Sequence, residues 1–443
     1  MRRLGLFEAN VPRYTSYPPA NHFAGDVTTE VHRAWLAAIP PGSKVSLYAH
    51  VPFCRRLCWF CACRTQGMQS EGPVVAYTNT LIQEIQALTG LLPQGVEIAK
   101  LHWGGGTPTL LNAPEITRLA DSIREAVPLT KNAEFSVEID PNEIDDARLD
   151  ALADAGMGRA SIGVQDFDPE IQKIIGREQS FEVTRAAVEG LRARGVTSLN
   201  TDLLYGLPRQ SQARITSSMQ MLLSLNPDRV ALYGYAHVPW MAKRQSLIPT
   251  EDLPDPVARL GLFETASEVL RWDGYDQIGI DHFARPEDSL SVAARQGRLM
   301  RNFQGYTDDS CDVLIGVGAS SISKFPQGFV QNAASTAAYQ KAVRAGELPT
   351  GRGHILTDED RLRSHIIERL MCDFGVDQRG SSTFPRKAVD PILDDIARSY
   401  EGHVARNDNG LTVLEESRPL TRLIARHVDA YTSEKARNHS SAI

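Results

Sequence analysis

The sequence predicts an α/β fold: a partial (β/α)6-type barrel, preceded by an N-terminal arm and followed by a C-terminal α-rich domain. Three observations predict it. Six short apolar, β-branched runs recur along the chain, segments of helical period lie between them, and after about residue 350 the pattern turns helical. A strand followed by a helix about every 35 residues is the signature of parallel βα units.

The first 40 residues, rich in proline and polar groups, do not fit this repeat and read as an N-terminal arm. The strands are expected at Val45 to Val51, Ile98 to Trp103, Glu134 to Ile139, Arg159 to Val164, Ser198 to Leu204 and Arg229 to Tyr235. Helices are expected at Val75 to Leu92, Pro114 to Ala126, Asp145 to Ala155, Phe181 to Arg194 and Gln210 to Leu225. Residues 41–350 are thus assigned to the barrel and its extension. Residues 351–443 form the α-rich domain, with helices at Asp358 to Cys372 and Ala388 to Tyr400 and a short strand pair near Val404 to Val413. The tail from Ser433, small and polar, is expected to fray.

Composition narrows the function classes. Of 443 residues, 42% are hydrophobic and 23% charged, which suits a large buried core. The net charge of −7, and the lack of any Lys/Arg run interleaved with aromatics, argue against nucleic acid as a partner. An anionic substrate must then be met by a local arginine or lysine cluster. The start of the chain has no apolar h-region, and no apolar stretch approaches the ~20 residues that cross a bilayer, so a cytoplasmic protein without a membrane partner is expected. Six cysteines, four of them between positions 54 and 63, suit a metal or cluster site and not a disulfide framework.

Those four lie in YAHVPFCRRLCWFCAC, positions 48–63, directly after the first strand. Cys54, Cys58 and Cys61 are spaced C-x3-C-x2-C. Three thiolates bind three irons of a cubane and leave the fourth open to a cofactor or substrate. A zinc site needs a fourth ligand and usually a second C-x2-C pair, which the chain lacks, although Cys63 or His50 is available to close a tetrahedron. HWGGGTPT, positions 102–109, follows the second strand, and its glycines let a ligand approach the backbone. Glu138, Gln165, Arg177 and Asp202 fall at or just beyond later strand ends, so all these motifs converge on the mouth where such barrels do their chemistry.

The cysteine spacing, with Phe60 just before the last ligand, resembles the signature of the radical S-adenosylmethionine (SAM) superfamily. That resemblance implies a radical SAM barrel with a [4Fe-4S] cluster whose open iron chelates the methionine end of SAM, giving a 5′-deoxyadenosyl radical on reduction. A longer set of segments covers nearly the whole chain: RYTSYPPANHF, the cysteine loop, HWGGGTPT, SVEIDPNEI, GVQDFDPEIQKIIGREQ, DLLYGLPRQ, YAHVPW, GIDHFARPED and RNFQGYT. Together they are similar to the oxygen-independent coproporphyrinogen III oxidase (dehydrogenase) family.

Carried onto this chain, the resemblance makes Cys54, Cys58 and Cys61 the cluster ligands and Cys63 a catalytic thiol that does not bind the cluster. It places Tyr48, Phe60, Gly105, Gly106, Thr107, Glu138, Gln165, Arg177, Asp202 and Ala236 on SAM-binding positions. Gln304 and Ile322 match positions lining a site for a second SAM, and the resemblance implies that the arm of residues 1–40, carrying Arg13, Tyr14 and Tyr17, lies over the active-site entrance. Pro19 stands where the family has Thr, and Ala62 where it has Gly.

The implied reaction is oxidative decarboxylation of two propionates of coproporphyrinogen III to the vinyl groups of protoporphyrinogen IX, in haem biosynthesis. An electron donor such as flavodoxin or ferredoxin and a monomeric protein are expected. Arg13, Arg55, Arg56, Arg285 and Arg301 are candidates for the propionates. His50, His102, His237 and His282 lie near strand ends as structural hydrogen-bonders, whereas Trp103, Trp240, Cys311 and Cys372 are expected to be packing residues. The alternatives are a haem chaperone or another tetrapyrrole enzyme on the same scaffold.

Overall fold

A computed structural model describes residues 1–379, 384–431 and 441–442. All six expected strands form: β1 Lys44–Val51, β2 Glu97–Gly105, β3 Leu129–Ile139, β4 Arg159–Gln165, β5 Ser198–Tyr205 and β6 Arg229–Gly234. They pair in parallel in that order. Successive residues point to opposite faces of a strand. The outer face is apolar, with Leu47, Trp103, Val137, Ile162, Leu199 and Val230 buried, and is covered by the connecting helices.

After the arm's own helix α1, Thr29–Ala37, those helices are α2 Gly72–Thr89, α3 Ala113–Ala126, α4 Asp146–Asp154, α5 Phe181–Ala193 and α6 Gln212–Ser224. Four of them start where a polar side chain takes the first free backbone N–H: Asn112, Asp145, Ser180 and Ser211 each accept from the residue three ahead.

The sheet is larger than the six-unit repeat. It has twelve strands and remains open. Beyond β6 come α7 Pro256–Trp272 and the antiparallel β7 Asp276–Ile278 and β8 His282–Ala284. On the other side β9 Leu314–Val317 pairs in parallel with β1, then β10 Ile322–Phe325, β11 Gly328–Asn332 and β12 Thr350–Ile355 continue antiparallel. The main sheet therefore runs on to Ile355.

Past it lie α8 Asp358–Asp373, α9 Arg386–Ser399 and α10 Thr421–Val428, with a three-stranded sheet of Gly375–Asp377, Val404–Asn407 and Gly410–Val413. These helices share a second core with the start of the chain: Leu6, Val11, Tyr14 and Tyr17 pack with Ile366, Leu370, Leu393 and Ile424. Tyr14 donates to Asp429 Oδ2 at 3.0 Å, and Tyr17 Oη accepts from the Ala430 N–H at 3.0 Å. The expected frayed tail departs from this at its end. Ser441 bridges to Asn10 and Ala442 is buried, because their backbone pairs with the N-terminal segment, while 433–440 and Ile443 lie outside the described residues.

Candidate active site

Alternation along the parallel strands builds the inner wall. Tyr48 and His50 of β1, His102 of β2, Ser136 and Glu138 of β3, Ser161 of β4, Asn200 and Asp202 of β5 and Tyr233 of β6 all face a lumen cavity of about 590 Å³. Parallel register keeps them level: Tyr48 pairs with His102 and His102 with Ser136, then Glu138 with Ser161 and Ser161 with Asn200.

The cysteine loop crosses the mouth of this cavity. Its start is fixed by a short parallel pairing of Phe53–Cys54 with Gln66–Gly67 and by the Thr107 N–H donating to Phe53 O at 2.7 Å. Trp59 and Phe60 anchor its far side on Ile171, Ile175 and Tyr235, and Gln245 Nε2 donates to Phe60 O at 2.7 Å. Gly176, at φ 67, is required there, since a Cβ would lie 2.8 Å from the Trp59 ring. Cys54, Cys58 and Cys61 are half-buried free thiols.

Arg177 brings a cation to them. Its Nη1 is 3.5 Å from Cys58 Sγ and its Nη2 donates to Gly163 O at 2.9 Å, while its buried Nε has no hydrogen-bond partner among the described residues. The Cys63 thiol and N–H both point at Cys61 Sγ and hold the Cys61 thiol down to about 6, so that it is ready as a thiolate. Burial pushes Cys54 up to about 11. Among the described residues no three of His, Cys, Asp and Glu close on one point, as a single zinc ion requires. Three free thiols on one loop beside a buried guanidinium fit a cluster that is held iron by iron.

Gly104 and Gly105 form the end of β2 itself, and Gly106 is the first residue beyond it. Their missing side chains are replaced by the protein's own groups. A Cβ on Gly104 would lie 2.6 Å from Glu138, on Gly105 2.5 Å from the His50 ring, and on Gly106 2.5 Å from Phe53 O. Glu138 is thereby locked: Oε2 accepts the Gly105 N–H at 3.0 Å and Oε1 lies 3.3 Å from His102 Nε2.

Burial alone pushes the Glu138 carboxyl up, but these hydrogen bonds overcome it and hold the group below its usual range. His102 Nδ1 meets Ser136 Oγ at 2.6 Å, and its ring stacks on Tyr48, whose hydroxyl reaches His50 Nδ1 at 2.9 Å. Burial lowers His50 to about 4, so its ring is neutral at pH 7, and Nε2 has no partner among the described residues. Asp202 behaves oppositely to Glu138. Burial pushes it up to about 7, against one hydrogen bond from Asn200 Nδ2 at 2.8 Å.

Of the residues singled out from sequence, Tyr48, Cys63, Gly105, Glu138, Asp202, Gln304 and Ile322 line this one cavity. Thr107 lies under the cysteine loop and Phe60 within it, Arg177 beside its thiols, and Ala236 beyond β6 with its carbonyl held by Gln245 at 2.9 Å. Gln165 ends β4 at φ 71, a conformation that costs a non-glycine side chain of order 1–3 kcal/mol.

Two expectations fail. Arg285 lies beside the N-terminal end of β6, because β8 runs antiparallel, and is bound by Asp273 at 3.0 Å far from the mouth. Trp240 is 56% exposed and not packed. Arg55, Arg56 and Arg301 are occupied by Glu143, by the Glu178 carbonyl and by Asp281 respectively, and Arg13 donates to Gly234 O. Sequence reading missed the lower lumen, where Lys100, Glu134, Arg159 and Arg229 line the cavity with Lys100–Glu134 and Arg159–Glu134 contacts of 3.4 Å. The signal was present: each lies two residues from a wall residue of the same strand or level with one on the next.

A parallel half-barrel carrying three free thiols on the loop after its first strand defines a radical SAM protein, and the model of the Radical SAM superfamily matches residues 48–222. The chain is 59% identical to an oxygen-independent coproporphyrinogen III oxidase of Paracoccus denitrificans, over 100% of this chain and 99% of the relative. It is 38% identical to that of Escherichia coli over 96% and 94%. A solved structure of coproporphyrinogen III oxidase from Escherichia coli, described as a radical SAM enzyme, superimposes with a TM-score of 0.88 at 37% identity, covering 95% of this chain and 97% of that one. The chain belongs to the oxygen-independent coproporphyrinogen III oxidase family.

Proposed function

We propose that this protein converts two propionates of coproporphyrinogen III to the vinyl groups of protoporphyrinogen IX without oxygen. The observation that carries the reading is one cavity. It joins the Cys63 end of the cysteine loop to Glu138, Asp202 and Tyr48 and, on the far side, to Gln304 and Ile322. Cys54, Cys58 and Cys61 would hold a [4Fe-4S] cluster, which with SAM would supply radical chemistry for removing a hydrogen atom from the propionate β-carbon, a step no side-chain base performs at useful rates. The substrate then loses CO2 and passes one electron to an acceptor, which leaves the C=C bond.

The chain's own part is position. Arg177 balances the thiolates, and Glu138, held ionised by His102 and the Gly105 N–H, would offer a fixed acceptor for the amine or ribose of SAM. Gly106 and Thr107 would serve its methionine end, and Gln165, Ala236 and Asp202 its nucleoside. Gln304 and Ile322 are assigned to a second SAM. Cys63 faces the cavity without joining the cluster.

Residues 1–40 act as an arm, 41–350 as the catalytic barrel with its extension, and 351–443 as a covering domain. That arrangement keeps water from the radical. A flavodoxin or ferredoxin as donor, a monomer, and a cytoplasmic location without nucleic acid complete the reading; no helix among the described residues is long and apolar enough to cross a membrane. Anaerobic incubation with SAM, a reductant and coproporphyrinogen III tests it, through protoporphyrin IX by absorbance after oxidation of the porphyrinogens and 5′-deoxyadenosine by chromatography. Reductive cleavage of SAM without loss of CO2 from the tetrapyrrole would overturn it.

A further inference from the structure

A second cavity, of about 320 Å³, lies on the outer side of β5 and β6, between α7, the N-terminal arm and the C-terminal helices. Five arginines line it, with Arg271 and Arg418 beside three that come from these three parts: Arg13 of the arm, Arg259 of α7 and Arg422 of α10. Their visible partners are carbonyls. Arg422 donates to Val11 O, Pro12 O, Ser441 O and Ala442 O at 2.6–3.3 Å, and Arg13 to Gly234 O at 2.7 Å. Arg259 lies over the Tyr205 ring at 5.5 Å, and its buried Nε has no partner among the described residues.

Four acids also touch the cavity, of which Asp281 offsets Arg13 and Arg422 in part without a direct ion pair to either. Asp281 is bound to His282 at 2.7 Å and to Arg301 at 3.6 Å, while Glu264, Glu415 and Glu416 are exposed. Phe263, Ile280 and Phe374 form an apolar part of the wall, beside the polar Ser267, Arg271, Gln277 and Arg418.

Three guanidinium groups without a direct ion pair, partly withdrawn from water and offset only in part by Asp281, repel one another. Burial lowers Arg422 to about 9, with Arg13 adding to the effect, and lowers Arg259 for the same two reasons. Guanidinium does not release its proton at neutral pH, so an entering anion relieves this repulsion. Arginine forks match a carboxylate in two-point geometry, and the apolar wall suits a body attached to it.

We propose that this cavity binds a small organic carboxylate with a flat apolar body, at a site separate from the lumen. Its size admits one ring and not a tetrapyrrole. The ligand clamps the arm to the barrel, because Arg13 also stands 5.9 Å from the ring of Tyr233, which lines the lumen.

Calorimetric titration of the anaerobically purified full chain with benzoate tests the proposal. The expected result is one saturable site, weakened at least tenfold by Arg259→Gln and only partly restored by Arg259→Lys. Benzamide, of the same shape without the charge, does not bind. Inorganic phosphate binds more weakly than benzoate. Phe263→Ala serves as a second variant and weakens benzoate while leaving phosphate unchanged. Benzoate affinity that survives both Arg259→Gln and Phe263→Ala overturns the site. Displacement of benzoate by coproporphyrinogen III reassigns the arginines to a substrate propionate and overturns its separateness, and phosphate binding as tight as benzoate overturns the apolar-bodied ligand.

Discussion

Replacing Asp202 by Asn tests the electrostatics of the lumen. The carboxyl is pushed by burial from 3.8 to about 7, with the charge of Glu138 adding and the Asn200 hydrogen bond opposing. A difference of about three units corresponds to about 4 kcal/mol at about 1.4 kcal/mol per unit. Its sign follows from proton counts. Between pH 4 and 7 the folded protein keeps a proton that the unfolded chain has lost, so stability falls as pH rises through that window and stays lowered above it. Asparagine keeps the shape and the contact with Asn200 but does not titrate. Urea unfolding of both proteins at pH 5, 6, 7 and 8 is therefore expected to show the variant gaining about 3 kcal/mol on the wild type, most of it below pH 7. Glu84, which burial likewise raises to about 7, titrates in both proteins and cancels in the difference. A difference constant within about 0.5 kcal/mol across the range refutes the buried, proton-holding Asp202.

Other outcomes follow from the same geometry. Cys58→Ser is expected to lose iron, sulfide and both reaction products, whereas Cys63→Ser keeps iron and sulfide near four each and loses turnover; metal analysis with product assays checks both. Gly105→Ala is expected to cost about 1–3 kcal/mol in backbone strain at its φ of 113 and to displace His50, read as a lower urea midpoint. Asp281→Asn leaves the Arg301 guanidinium, 3% exposed, without its charge partner and is expected to cost about 3–5 kcal/mol in chemical denaturation. Burial alone pushes Asp281 up, but Arg301 and His282 hold it below the usual carboxylate range, so this contribution is present at neutral pH and fades as pH falls below about 4.

The repeat of long strands and amphipathic helices was legible because each of β1 to β6 is long enough to show its period. The antiparallel additions were not. Residues 276–278, 282–284 and 322–325 form strands of three or four residues, too short to display alternation, and their pairing is decided by neighbours distant in sequence. Helix α7 carried readable signals in Asp255 as cap and Pro256 in its first turn, and was overlooked because it follows the last repeat. In the site, the cysteine spacing and Glu138 were readable as chemistry. What the glycines do was not, since Gly104 and Gly105 make room for Glu138 and His50 from other strands, a contact that only the sheet register creates. The burial of Tyr14 and Tyr17 among helices more than 340 residues away is hidden for the same reason.

The central claim is that the thiols of one loop and the wall of one lumen carry out radical decarboxylation. Mass analysis of the tetrapyrrole after anaerobic turnover, with 5′-deoxyadenosine counted in the same sample, tests it most directly. The account predicts a product lighter by two CO2 and four hydrogens, with two 5′-deoxyadenosine formed per porphyrinogen and neither formed by the Cys58→Ser variant. A heavier, methylated product, or 5′-deoxyadenosine formation that persists without Cys58, would contradict it.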